Sequence, residues 1–155
     1  MLRDEIPLDQ LRVPKLAELL AWWNARRGSH ALPGRADFEV SDLKPWLGNI
    51  HLIDVEDGGA EFRYRVYGSN LARYFGHDFT GKTTAIARPE ARELVRSEYR
   101  TVCSERRPVL VQRARSVLGK DTPVVRLILP LASDGATVDK LIVCSYPILA
   151  GKAAT

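Results

Sequence analysis

Residues 62–83 read Phe-Arg-Tyr-Arg-Val-Tyr-Gly-Ser-Asn-Leu-Ala-Arg-Tyr-Phe-Gly-His-Asp-Phe-Thr-Gly-Lys-Thr, and their folding decides what the chain can be. Gly76, four residues, then Gly81-Lys82-Thr83 fit the phosphate-loop pattern G-x-x-x-x-G-K-[ST] letter for letter. A phosphate loop needs a buried strand feeding small residues into a helix N-terminus, where backbone N–H groups hold the phosphates. Here Leu71, Ala72 and Phe75 stand at helical spacing, with Ser69 or Asn70 as the expected cap, so a helix enters the motif. Phe79 is bulky, and Asp78 brings negative charge beside the phosphates. Only six residues separate Lys82 from Pro89, too few for the long helix that follows a phosphate loop, and the one apolar strand ending in Asp, Ile50 to Asp54, precedes the motif instead of following it.

Working outward, Ala60 to Tyr67 alternates, with Phe62, Tyr64 and Val66 expected on one face and Arg63, Arg65 and Tyr67 on the other. Asp57-Gly58-Gly59 is a hairpin turn that joins this strand to residues 49–56. Upstream, Leu16, Leu19, Leu20 and Trp23 mark an amphipathic helix over 14–27, opened by Pro14 and ended by Gly28. Trp22 widens its apolar face, which suits either packing on its own domain or a dimer seam. Ser41 is the expected cap of a short helix holding Leu43, Trp46 and Leu47. Downstream, Pro89 opens a long helix to about Arg106, with Ala91, Leu94, Val95, Tyr99, Val102 and Cys103 as its buried stripe. Strands follow at 109–117, 124–131 and 141–148, with turns at Gly119-Lys120-Asp121 and Ser133-Asp134-Gly135. Pro130 demands a sheet edge or a bulge. The order predicts an α+β fold: one five-stranded antiparallel sheet with helices on one face, plus N-terminal helices.

The 155 residues are 45% hydrophobic and 27% charged, with a net charge of +4, the profile of one globular domain. No apolar run reaches the ~20 residues of a membrane span, and the N-terminus lacks a secretory core, so the expected location is cytoplasmic. Cys103 and Cys144 sit among apolar neighbours as inert thiols, and His30, His51 and His77 are scattered.

Several segments carry a resemblance: Trp22-Trp23; Leu32-Pro33-Gly34-Arg35-Ala36-Asp37; Leu47 to Val55; Phe62 to Gly68; Phe75-Gly76; Thr80-Gly81-Lys82; and Arg126 to Leu131. In this order they resemble PAS_5, a family of single-domain PAS-like proteins of alphaproteobacteria, over roughly residues 20–147. Val125 stands where that family tends to carry an acid, which removes an ion pair from that position to Arg126. The resemblance implies a PAS-like domain at 20–147, with an N-terminal extension and helix start at 1–19 and a flexible tail at 148–155. It also implies that the two glycine pairs shape a loop. PAS-like domains bind small molecules or each other between the sheet and the central helices, and this chain would signal in trans to an unidentified protein, as a homodimer.

The residues expected to line such a site are Tyr64, Leu71, Phe75, His77, Phe79, Tyr99 and Leu127. His51 or His77 could ligate haem iron, but no cofactor or metal is assigned, and the flavin-reactive cysteine motif of photoreceptor PAS domains is absent. Arg88, Arg92, Arg96 and Arg100 form a stripe that Glu90, Glu93, Glu98 and Glu105 interleave. We read it as a solvated, salt-bridged face and not as a nucleic-acid surface. The expected function is a non-enzymatic sensory or regulatory domain that binds a small molecule, a protein partner or both. The rival is a small α+β isomerase or hydratase using Asp54 or Tyr67 in an apolar cavity, and after it a nucleotide binder.

Overall fold

A computed structural model describes residues 2–113 and 123–148. Residues 114–117 of the strand predicted over 109–117, the Gly119–Asp121 turn, and residues 149–155 of the tail lie outside them.

The strands are β1 (Glu5–Ile6), β2 (Ile50–Glu56), β3 (Glu61–Tyr67), β4 (Val109–Arg113), β5 (Val124–Leu131) and β6 (Lys140–Pro147). They form one antiparallel sheet in the order β1-β4-β5-β6-β2-β3. Among the described residues the sheet therefore has six strands where the sequence predicts five. The sixth, β1, pairs only Glu5 and Ile6 with Val111 and Leu110, and two residues are too few to show an alternation. The helices are α1 (Pro14–Arg27), α2 (Ser69–Phe75) and α3 (Pro89–Glu105).

All eight residues of β5 are buried, because helices cover both faces of the sheet. On one face α3 lays Tyr99 and Glu98 against Arg126. On the other, α1 buries Leu16, Leu19 and Trp23 against its own sheet, so the stripe weighed as a dimer seam is occupied within the domain. The Trp23 indole Nε1 donates to the Pro130 carbonyl (2.9 Å). Pairing with β4 stops at Val109–Ile128, so Pro130 stands where β5 has a free edge, and Ala132 N there donates to Pro33 O (2.9 Å). A 3-10 helix over Val40–Asn49 completes this layer. Glu39 caps it in place of Ser41, its N–H bonded to Asp42 Oδ2, and Trp46 Nε1 donates to Lys15 O (2.7 Å).

Two local features place the site. The β2–β3 register runs Leu52–Val66, then Ile53–Tyr64, leaving Arg65 as an extra bulged residue. The bulge flips the alternation, so Tyr67 joins Phe62 and Tyr64 on the α3 face and leaves the arginine face predicted for it. The second is the glycine-paired loop. α2 ends at Gly76, whose φ of 83° is left-handed, and Gly81 turns the chain again at φ 81°. Gly81 N then donates to Tyr64 O (2.7 Å), Tyr64 N donates to Lys82 O (2.9 Å), and Thr83 bridges Arg63. Residues 81–83 thus cover the outer edge of β3. A helix leads into the motif and a three-residue turn, Thr84–Ile86, leaves it, the reverse of a phosphate loop.

Candidate functional site

Between the sheet and α2, α3 and the 76–87 loop lies a cavity. Its floor is β-strand: His51, Tyr64, Tyr67, Arg113, Val124, Arg126 and Ser145 all project from one sheet face, as the registers require. Arg92, Val95 and Tyr99 of α3, with Thr84 and Ala87, close one side, and Phe75 and Phe79 close the other. The free space at its centre is about 30 Å³, room for one or two waters. A porphyrin has no place there without repacking.

Of the seven residues expected to line a site, Tyr64, Phe75, Phe79 and Tyr99 meet around this cavity. His77 stands just behind the wall. Its ring stacks on Phe79 (3.9 Å between centroids, 12° between planes) and on Phe75 (6.1 Å, 15°), and its Nε2 bonds the Tyr67 hydroxyl (3.0 Å). Leu71 is buried in the core on α2, outside the lining. Leu127 pairs with Leu110 and Cys144 and points to the α1 face, on the far side of the sheet, because lining positions on β5 alternate through Val124 and Arg126.

A search for apolar lining passes over the polar half of the site. Arg126 is its centre: Nη1 bonds Glu98 Oε1, Nη2 bonds the Tyr99 hydroxyl (3.1 Å), and Glu98 Oε2 takes Arg113 Nη2. Glu98 is fully buried on α3, so it is a countercharge for the sheet and not part of a solvated stripe. Three of the stripe arginines likewise reach off the helix. Arg96 pairs with Glu61 (2.5 Å), Arg100 Nε bonds Gly59 O (3.0 Å) and Arg92 Nη1 bonds Ala85 O (3.2 Å); the pair along the helix itself between Arg96 and Glu93 is long at 3.9 Å. The signal for Arg126 was present in the sequence, as the single charge inside an eight-residue apolar strand.

Burial, then the nearby Arg126 and His77 charges, push the His51 imidazole down to about 3, so it is neutral at pH 7. Among the described residues its Nδ1 has no hydrogen-bond partner. Burial raises the Tyr64, Tyr67 and Tyr99 phenols, which therefore stay protonated. Burial also lifts the thiols, Cys103 to about 11 and Cys144 to about 12, far from reactive thiolates. Asp54 lies on the opposite sheet face from Tyr67, bound to Arg65 (2.5 Å) and Lys140 (2.9 Å). Of the two residues of the rival enzyme reading, Tyr67 alone lines the cavity. Among the described residues no group of three or more His, Cys, Asp or Glu could hold a metal ion, and no helix is long and apolar enough to cross a membrane.

The model of the PAS_5 family, described as a PAS domain, matches residues 11–144. No match is found among curated proteins. Among solved structures, the crystal structure of a sensory box sensor histidine kinase from Vibrio cholerae is similar over 90% of this chain and 99% of that one, at 13% identity and a TM-score of 0.49.

Proposed function

The chain belongs to the PAS_5 family of PAS domains, and from that premise we propose that it is a sensory domain without catalytic chemistry, binding a small molecule in the cavity on the α3 face and passing its occupancy to a protein partner. The observation that carries this is the cavity's mixed wall. Charged and hydroxyl groups project from the floor, and a half-buried aromatic stack, Phe75–His77–Phe79, stands on the open side. A guest larger than two waters must displace that stack. The stack belongs to the loop that covers the β3 edge, so displacement alters the outer surface where a partner, or a second copy, would read it. Of the enzymatic rival's two candidates, Asp54 lies on the sheet face away from the cavity, and Tyr67 lines the cavity with its hydroxyl bonded to His77 and its phenol kept protonated by burial, which supports the sensory reading.

The small free volume favours a second reading, in which the interior stays packed and the domain acts through protein contacts alone. Native mass spectrometry of freshly purified chain separates the two and also reads self-association. The sensory reading expects a retained organic mass that disappears in Val95→Phe, a variant that fills the cavity at a cost of about 1–3 kcal/mol and stays folded. A bare polypeptide mass for the wild type supports the contact-only domain.

A further inference from the structure

We infer that the protein partner of this domain seats a segment of acidic and apolar residues in a second groove, on the sheet face away from the cavity. This rests on the sensory reading above and names its partner class. The groove holds about 340 Å³ of free space between the 35–40 segment, β2 and β3, and the adjoining ends of β5 and β6. Val40 and Leu52 give it a half-buried apolar floor. Its charged residues are Arg35, Arg65, Lys140 and Asp54, three cations against one carboxylate, a net of +2. Arg65 and Lys140 meet at one point. Lys140 stands opposite Asp54 in the register, and Asp54 takes Lys140 Nζ on one oxygen (2.9 Å) and Arg65 Nε on the other (2.5 Å). An ammonium has three donors and a guanidinium five, and among the described residues neither side chain bonds a second acceptor, so most of their donors remain for an incoming carboxylate. Next along this face Arg63 and Glu56 neutralise each other (2.7 Å). The bulge sets Arg65 beside Val66, against Asp54 and Leu52, so cation and apolar surface adjoin. Charge disfavours a second copy here, because a two-fold contact would set this surface against itself, cation on cation. Exposure favours a protein segment over a free small molecule. Small-molecule pockets bury most of their ligand, whereas the Arg65 side chain is 57% exposed and that of Lys140 34%. The groove is also tied to the cavity. Tyr64, one residue before Arg65, lines the cavity, and its N–H and C=O are held by Lys82 and Gly81 of the loop that a guest displaces.

The probe is a fluorescein-labelled dodecapeptide of alternating glutamate and leucine, read by anisotropy on the full chain at low salt. Saturable binding is expected, with a dissociation constant on the order of 100 μM that weakens as salt rises. Alternating lysine–leucine and glutamate–serine peptides should not bind, the first for its charge and the second for its lack of apolar contacts. Arg65→Gln and Lys140→Gln, both at the rim, should each weaken binding about fivefold, and Arg35→Gln combined with Arg65→Gln about twentyfold. Arg73→Gln, on α2 and outside the groove, should leave it unchanged. Equal binding of the glutamate–serine peptide, an equal loss in Arg73→Gln, or no saturable binding of the glutamate–leucine peptide overturns the groove. Any of these alongside a retained organic mass in the native spectrum leaves the sensory reading standing. The expected binding by a chain that retains no mass keeps the groove and supports the contact-only domain.

Discussion

Glu98→Gln is expected to cost about 3–5 kcal/mol of folding stability, the range for breaking a buried ion pair by neutralising one partner. The substitution keeps shape and volume, so the loss isolates charge. Glu98 is fully buried on α3 and serves Arg113 of β4 and Arg126 of β5 at once. Without it, two guanidinium groups remain inside the domain with, among the described residues, the Tyr99 hydroxyl and the distant Asp4 carboxylate as side-chain partners. Against a total of about 5–15 kcal/mol, such a loss brings the chain close to unfolding. Urea titration gives the value. Replacing all three groups together, Glu98→Leu with Arg113→Met and Arg126→Met, should be closer to wild type than Glu98→Gln alone, because no charge is then stranded. A Glu98→Gln loss under 1 kcal/mol would mean that the cluster is solvated and the cavity floor is not as described.

Trp23→Ala has an expected effect of similar size, about 3–5 kcal/mol. The indole is 3% exposed, packs in the core beneath β5, and gives its N–H to the Pro130 carbonyl. Truncation leaves a cavity and removes the partner of a carbonyl at the free edge of β5. The same variant separates two uses of α1. If the stripe closes its own domain, the loss is the same at every protein concentration. If it were a dimer seam, the wild-type midpoint would climb with concentration and the variant would lose that dependence. Chemical denaturation across a hundredfold concentration range makes the distinction.

Local patterns carried most of the fold. The 3.6 periodicity and terminal Pro and Gly set the bounds of α1 and α2, and the Asp57-Gly58-Gly59 turn set the first hairpin. What escaped depended on partners distant in the chain. β1 is a two-residue strand that exists only because β4 offers an edge. The bulge at Arg65 arises from pairing with β2, and strict alternation through it sent Tyr67 to the wrong face. The site shows the same division. Tyr64, Phe75, Phe79 and Tyr99 were found as aromatic residues near the loop, whereas Leu127 was chosen for its apolarity on a strand buried on both faces, where polarity says nothing about side. Glu98 reads as a surface charge of the α3 stripe until the sheet brings Arg113 and Arg126 from neighbouring strands to its carboxylate.

The most direct test of the account falls on the loop at its centre. Titrating magnesium–ATP into the wild type and Lys82→Ala by calorimetry should give no saturable heat in either, up to about 1 mM, because the Lys82 and Gly81 backbone is committed to the β3 edge. Saturable binding by the wild type that Lys82→Ala abolishes would contradict it, since residues 76–83 would then be holding phosphates.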